Sequence, residues 1–453
     1  MHSRTHLLVA LLALLPATSR AQPAQGLAFA ITHVAVIDGR DSLPRLEQTV
    51  IIRGSRIAEV GPAASIRVPQ GATVVDGQGK YLIPGLWDMH VHTDVPAGRE
   101  VLALYVASGV TGIRDMAGRW QTLRGWRDSI ADGRLVGPRI VASGPYLVGG
   151  ESPIPHLLAR DTAEARRGVD SLARLGVDVV KVHTRLRPDV FFAIIRRARE
   201  LGLPVAGHVS ATIGAQAASD SGVRSIEHLL GVPLPCTPAD SVALAPKFPV
   251  QAALGRCSSR DLTPLYAALA RNGTWVTPTL TGIFEVAAWP KRELPGDSVA
   301  RWIPDTLRRY VASIFPMPDS IPPGADAVGL NVFEMRLAQV AAMQRAGVGI
   351  LSGTDAPLRN SPPGFGLHQE LALLARGGMP AFAVLRSATL EPARYLAMTD
   401  SLGTIEPGKL ADLVLLDANP LADIRNTARV AAVFANGRYF DSAARRLLLG
   451  APR

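Results

Sequence analysis

Short apolar runs alternate with amphipathic stretches through the middle of the chain, and the rhythm changes at both ends. Residues 27–80 carry brief β-rich runs, Ile31 to Ile37, Thr49 to Ile52 and Ile57 to Val60, separated by Gly54, Gly61, Gly71 and Gly77. Such runs between glycine-marked turns predict a small antiparallel sheet. Residues 403–445 repeat the texture, with Ala411 to Leu416 and Val430 to Phe434. The two ends together predict one β-sandwich domain, residues 22–80 plus 400–453.

Between them, eight apolar runs read as strands: 82–92, 110–116, 139–144, 177–183, 204–209, 225–229, 275–280 and 349–356. Amphipathic stretches such as Thr162 to Leu175 and Pro188 to Leu201 separate several of them. That alternation is the mark of βα units and a parallel sheet. The expected fold is α/β, a (β/α)8 TIM-type barrel over residues 81–399, with its chemistry at the C-terminal strand ends. Residues 283–335 interrupt the rhythm before the last strand. They carry Trp289, Trp302, Tyr310 and several prolines, as either a lid or a packing excursion would.

The first residues read as an address. Arg4 and His6 precede the apolar run Leu7 to Leu15, and Ser19-Arg20-Ala21 supplies small residues at a cleavage site. This is the layout of a secretory signal peptide over residues 1–21, so export to a periplasmic or extracellular space is expected. There Cys236 and Cys257 could pair, closing a loop of about 20 residues worth roughly 3 kcal/mol in the chain-entropy picture. The alternative is two free structural cysteines.

Composition narrows the classes. With 47% hydrophobic residues the chain can build a large core, and no apolar run approaches the ~20 residues of a membrane span. The net charge of +10 comes from scattered arginines, without a dense basic tract interleaved with aromatics, so nucleic acid is not an expected partner. A small-molecule substrate is, and a homo-oligomer is left open. Only five of the 48 basic residues are lysines. Lys181 alone lies inside an apolar run, Val177 to Val182, where an ammonium is costly.

The candidate chemistry gathers at strand ends. His90 and His92 are two apart on one strand, so they face one side. His208 and His228 end the fifth and sixth runs, Lys181 sits toward the end of the fourth, and Asp355 ends the eighth. Taken alone, His-x-His is as easily a pair of satisfied core histidines. Six metal-competent side chains at one rim are another matter. His183, two beyond Lys181, contacts substrate or makes a structural hydrogen bond. His368 opens the stretch after Asp355, as a capping residue or a substrate contact. Arg114 and Asp115 are expected to form a local ion pair.

This ordered set resembles the amidohydrolase superfamily, in its imidazolonepropionase/prolidase-like branch of metal-dependent hydrolases. The resemblance extends to Gly109 through Asp115 and to Leu402 through Val414. It implies two divalent ions, zinc foremost, with manganese or cobalt as alternatives. His90, His92, Lys181 and Asp355 would hold one, and Lys181, His208 and His228 the other. Lys181 would be carboxylated on its amine to bridge them; an ordinary buried ion pair is the alternative. A metal-bridging hydroxide would attack an amide-type C–N bond, in a dipeptide or N-acyl amino acid, while Asp355 shuttles the proton. A mononuclear deaminase or cyclic-amide hydrolase of the imidazolonepropionase kind is the alternative enzyme, and a non-catalytic binding protein on the same scaffold the alternative class. One departure is visible. Dipeptidase-like relatives carry a Gly-Gly-His segment where this chain has Gly149-Gly150-Glu151, with a histidine only at His156.

Overall fold

The computed structural model describes residues 28–236, 257–287, 301–314 and 325–450. The expected signal peptide, Trp289 and other parts of the 283–335 segment lie outside them.

The middle of the chain is α/β. Strands Leu86–Val91, Val110–Asp115 and Arg139–Ala142 form one parallel run. A second run follows the order His156–Leu158, Tyr146–Val148, Val180–Val182, Val205–Gly207, Ser225–Glu227 and Trp275–Thr277. Across the gap between the runs, Asp178 N donates to Ala142 O at 3.0 Å. The predicted eighth strand is a bridging segment instead, with single parallel bridges Val276↔Ile350 and Val91↔Ala356. Its backbone leaves the extended region at Asp355, where φ is 61°. Gly353 is pressed so close to His90 that a Cβ there would lie 2.9 Å from the His90 backbone nitrogen.

Helices clothe these strands for local reasons. Asp161 accepts from Glu164 N to cap Thr162–Leu175, which Gly176 ends at φ 80°, the arrangement that satisfies both sets of helix-terminal groups. Pro188 opens Pro188–Glu200, which buries Val190, Phe191, Ile194 and Ile195. Each such side chain contributes about 1.5–3 kcal/mol on full burial. No helix among the described residues is long and apolar enough to cross a membrane.

Both ends of the chain enter one eight-stranded mixed sheet. Its order is Arg438–Phe440, Val430–Ala435, Leu413–Leu416, Tyr81–Pro84, Ala28–Val36, Arg45–Arg53 and Arg56–Pro62, and Thr73–Asp76 also pairs with Ala28–Val36. Strands from both ends of the chain thus join in one continuous hydrogen-bonded sheet. Its central strand Ala28–Val36 is bulged between Ile31 and Val34. It pairs with Thr73–Asp76 over Phe29 to Thr32 and with Tyr81–Pro84 at Ala35 and Val36. A separate apolar cluster with Ile31, Val50, Leu82, Leu413 and Phe434 packs here. The predicted first barrel strand splits accordingly. Tyr81–Pro84 joins the terminal sheet and Leu86–Val91 the parallel run, with Gly85 between them, where a Cβ would meet Thr111 Oγ1 at 1.9 Å.

Candidate metal centre

Alternation along Leu86–Val91 and the next residue stacks Asp88, His90 and His92 on one side of the strand. Each has a different task. Asp88 is fully buried and accepts from Thr354 N at 3.0 Å and Thr354 Oγ1 at 2.7 Å. It thereby fixes the backbone that presents Asp355. Burial pushes its carboxyl up to about 7, against the hydrogen bonds from Thr354.

His90, also without exposure, donates from Nδ1 to Glu227 Oε2 at 2.7 Å. In an uncharged ring that leaves Nε2 as the acceptor. Nε2 stands 3.3 Å from Lys181 Nζ and 3.4 Å from Asp355 Oδ1. His92 Nε2 lies 3.1 Å from the same carboxylate oxygen. One ligand atom each from His90, His92 and Asp355 falls within 4.8 Å of the others.

His208 and His228 close the group. The ring of His228 lies 4.5 Å from that of His90 and 4.8 Å from that of His208, between centroids. Thr279 Oγ1 donates to Pro278 O, so it accepts from His228 Nδ1 at 2.6 Å and again leaves Nε2 as the acceptor. Nδ1 of His92 and Nδ1 of His208 are buried with no hydrogen-bond partner. His228 and Asp355 both hold positive φ, 58° and 61°, a conformation non-glycine residues adopt at a cost that clusters at functional sites.

The electrostatics suit a cation. Burial holds His90 and His208 well below the ordinary imidazole range and lowers His228 to about 4. Burial also lowers the Lys181 ammonium to about 8, against the attraction of Glu227 and Asp355. For Asp355 burial alone would raise the carboxyl; His228, the His92 hydrogen bond and Lys181 outweigh it and bring the group to about 2. The site thus offers neutral imidazoles, an ionised carboxylate and an amine that gives up its proton more readily than a free lysine.

His92, Lys181, His183, His208, His228 and Asp355 line one cavity. His183 stacks on Tyr146 with centroids 4.6 Å apart, and its Nδ1 lies 3.0 Å from Thr184 Oγ1. His368 is elsewhere. Its Nε2 donates to Ser108 O at 2.9 Å and its Nδ1 is 3.1 Å from Thr427 Oγ1, so both ring nitrogens are spent on packing. Of the two readings of His368, the geometry matches the structural one, and the residue is not among those lining the cavity. Cys236 is disulfide-bonded, in a segment where Leu234 pairs with Cys257.

The Arg114–Asp115 pair is corrected. Arg114, fully buried, donates from Nη2 to both oxygens of Glu227 at 2.9 Å. Asp115 accepts from Thr93 N and Thr93 Oγ1 instead. Sequence reasoning missed Glu227, whose only signal was a carboxylate inside the apolar run before His228. Through it, Arg114 sets the tautomer and orientation of His90. Glu227→Gln is expected to lower metal affinity about 10- to 100-fold, as loss of such an outer partner does. It should also lower the melting temperature, because it leaves Arg114 buried without its counter-charge. Metal titration and thermal melts check both; unchanged affinity would mean that His90 needs no such support.

The pattern of the amidohydrolase family matches residues 81–439. The ochratoxinase of Aspergillus niger is 24% identical over 461 residues, covering 87% of this chain and 82% of the relative. Among solved structures, a Xaa-Pro dipeptidase with methionine bound in its active site superposes with a TM-score of 0.69 at 22% identity, over 92% of this chain and 100% of that one. A putative prolidase from Bifidobacterium longum gives 0.68 at 24%, over 94% and 98%. The family match runs from the strand that links the two sheets to the last strand of the terminal one, and this chain belongs to the amidohydrolase family.

Proposed function

We propose that the protein is an exported, metal-dependent amidohydrolase that cleaves an amide-type C–N bond in a dipeptide or an N-acyl amino acid. The observation that carries this reading is the convergence of His92, Lys181, His208, His228 and Asp355 on one cavity, with His90 directly beneath. The close grouping of His90, His92 and Asp355, the orphaned Nδ1 of His208 and the uncharged imidazoles fit a divalent ion. His90, His92, Lys181 and Asp355 would hold one ion, and Lys181, His208 and His228 a second, zinc suiting the imidazoles best. Lys181, deprotonated more easily by burial, would carry a carboxylate on its amine. When bound, such ions polarise a carbonyl and make water acidic near neutral pH.

The protein's own residues then handle the proton. Asp355, ionised and at the cavity edge, takes a proton from the attacking water and returns it to the departing nitrogen as the C–N bond breaks. Glu227 and Asp88 keep His90 and the Asp355 backbone in place meanwhile. The folds of the dipeptidase and prolidase neighbours and the resemblance to ochratoxinase support the bond type. We infer that the two parallel runs and the 349–356 segment act as one closed barrel. The disulfide at Cys236 supports export, because such bonds persist in oxidising compartments.

A mononuclear reading has one observation in its favour, the tight His90, His92 and Asp355 group. Elemental analysis of mature protein purified without chelators separates the two. About two divalent ions per chain are expected. About one would favour the mononuclear deaminase or cyclic-amide hydrolase, and none after reconstitution with zinc or manganese would overturn metal dependence.

A further inference from the structure

We infer that the substrate presents an apolar side chain to the outer wall of the cavity, and that Tyr310 is the residue that selects it; the inference rests on the hydrolytic reading above. The cavity has two unlike sides. Its floor is the polar group of imidazoles, Lys181 and Asp355. Its wall is Val95, Tyr146, Ile154, Tyr310, Ile314 and Leu358.

That wall is built, not incidental. Ile303, Leu307 and Val311 are buried against Val101 and Leu104, which docks helix Asp305–Ile314 on helix Gly98–Ala107. Tyr310 and Ile314 are four residues apart and share a face, so the docking stripe beside them fixes both at the cavity. Val95 belongs to the same apolar cluster as Tyr310. Tyr146 is held by its stacking on His183 and by a hydroxyl contact with Ser152 Oγ. A charged group against this wall would lose hydration without a partner, whereas a phenyl or branched alkyl group gains by leaving water. With the reacting amide on the floor, a phenylalanine-like side chain of the substrate meets the wall.

The test is calorimetric binding of N-acetyl-L-phenylalanine and N-acetyl-L-alanine to the metal-loaded full chain carrying Asp355→Asn, so that turnover does not intervene. The phenyl compound is expected to bind roughly 30-fold more tightly, the scale of burying one such side chain. Adding Tyr310→Ala should cut that ratio to about fivefold or less. Arg309→Ala, exposed on the same helix, should keep it, and melting curves show that both variants fold. Equal affinities, or a ratio that Tyr310→Ala leaves unmoved, overturn the inference. Hydrolysis by the unsubstituted protein is read separately. Selective binding without any hydrolysis would sink the hydrolytic reading and keep the wall; hydrolysis of both compounds at equal kcat/KM would do the reverse.

Discussion

Asp355→Asn is expected to lower kcat by about 10³-fold or more while the protein stays folded and still binds metal at least in part. The size follows from the role, since a positioned proton acceptor contributes about 10²- to 10⁴-fold. Asparagine has nearly the same shape and still offers one oxygen near His92 Nε2, but it cannot take up a proton. The backbone does not confound the experiment. Asp355 sits at φ 61°, and asparagine is among the residues that tolerate this region best. Steady-state rates together with metal content decide the matter. Activity within about tenfold of the parent would remove Asp355 from proton transfer and leave it, at most, a ligand.

Lys181→Ala should strip metal from the site and reduce activity by a comparable factor without a matching loss of stability. Lys181 is 1% exposed, in the middle of the three-residue strand Val180–Val182. If its amine served only as a buried charge attracted by Glu227 and Asp355, its removal would cost stability and leave metal occupancy as it was. If the amine carries a carboxylate, alanine opens a space that acetate or propionate can enter, and millimolar additions should restore part of the activity. Metal content measured with and without the acid separates the two. Unaltered occupancy would argue against Lys181 as a ligand.

The positions of these residues were legible because each ends an apolar run that has no other use for it. His208 and His228 close runs bounded by glycine and serine, and Asp355 follows Leu351-Ser352-Gly353-Thr354. Chain-distant partners were not legible. Arg114 stands beside Asp115 in the sequence, but neighbours on a strand face opposite sides, and its counter-charge, Glu227, comes 113 residues later. The partners of His368 are also distant in the chain. Its place after Asp355 suggests the site, yet the chain turns it toward Ser108 and Thr427, whose oxygens satisfy both its nitrogens. The terminal strands could be read one by one, whereas their union in a single sheet rests on chain-distant pairings, such as Tyr81–Pro84 with Leu413–Leu416, that hydropathy does not encode.

That single sheet also constrains how the protein is born. Tyr81–Pro84 leads through Gly85 into the first parallel strand, but its antiparallel partner is Leu413–Leu416, made only after the whole catalytic segment has left the ribosome. Until then the nascent chain carries an unpaired edge beside a growing parallel sheet, the kind of edge that invites pairing with other chains. Long-range pairings of this sort form late and slowly. Leu413–Leu416 therefore acts as a fastener, whose closure protects the edge only once everything between the two strands has been synthesised. Loss of the final 40 or so residues should leave a chain that aggregates, even though none of the deleted residues lines the cavity.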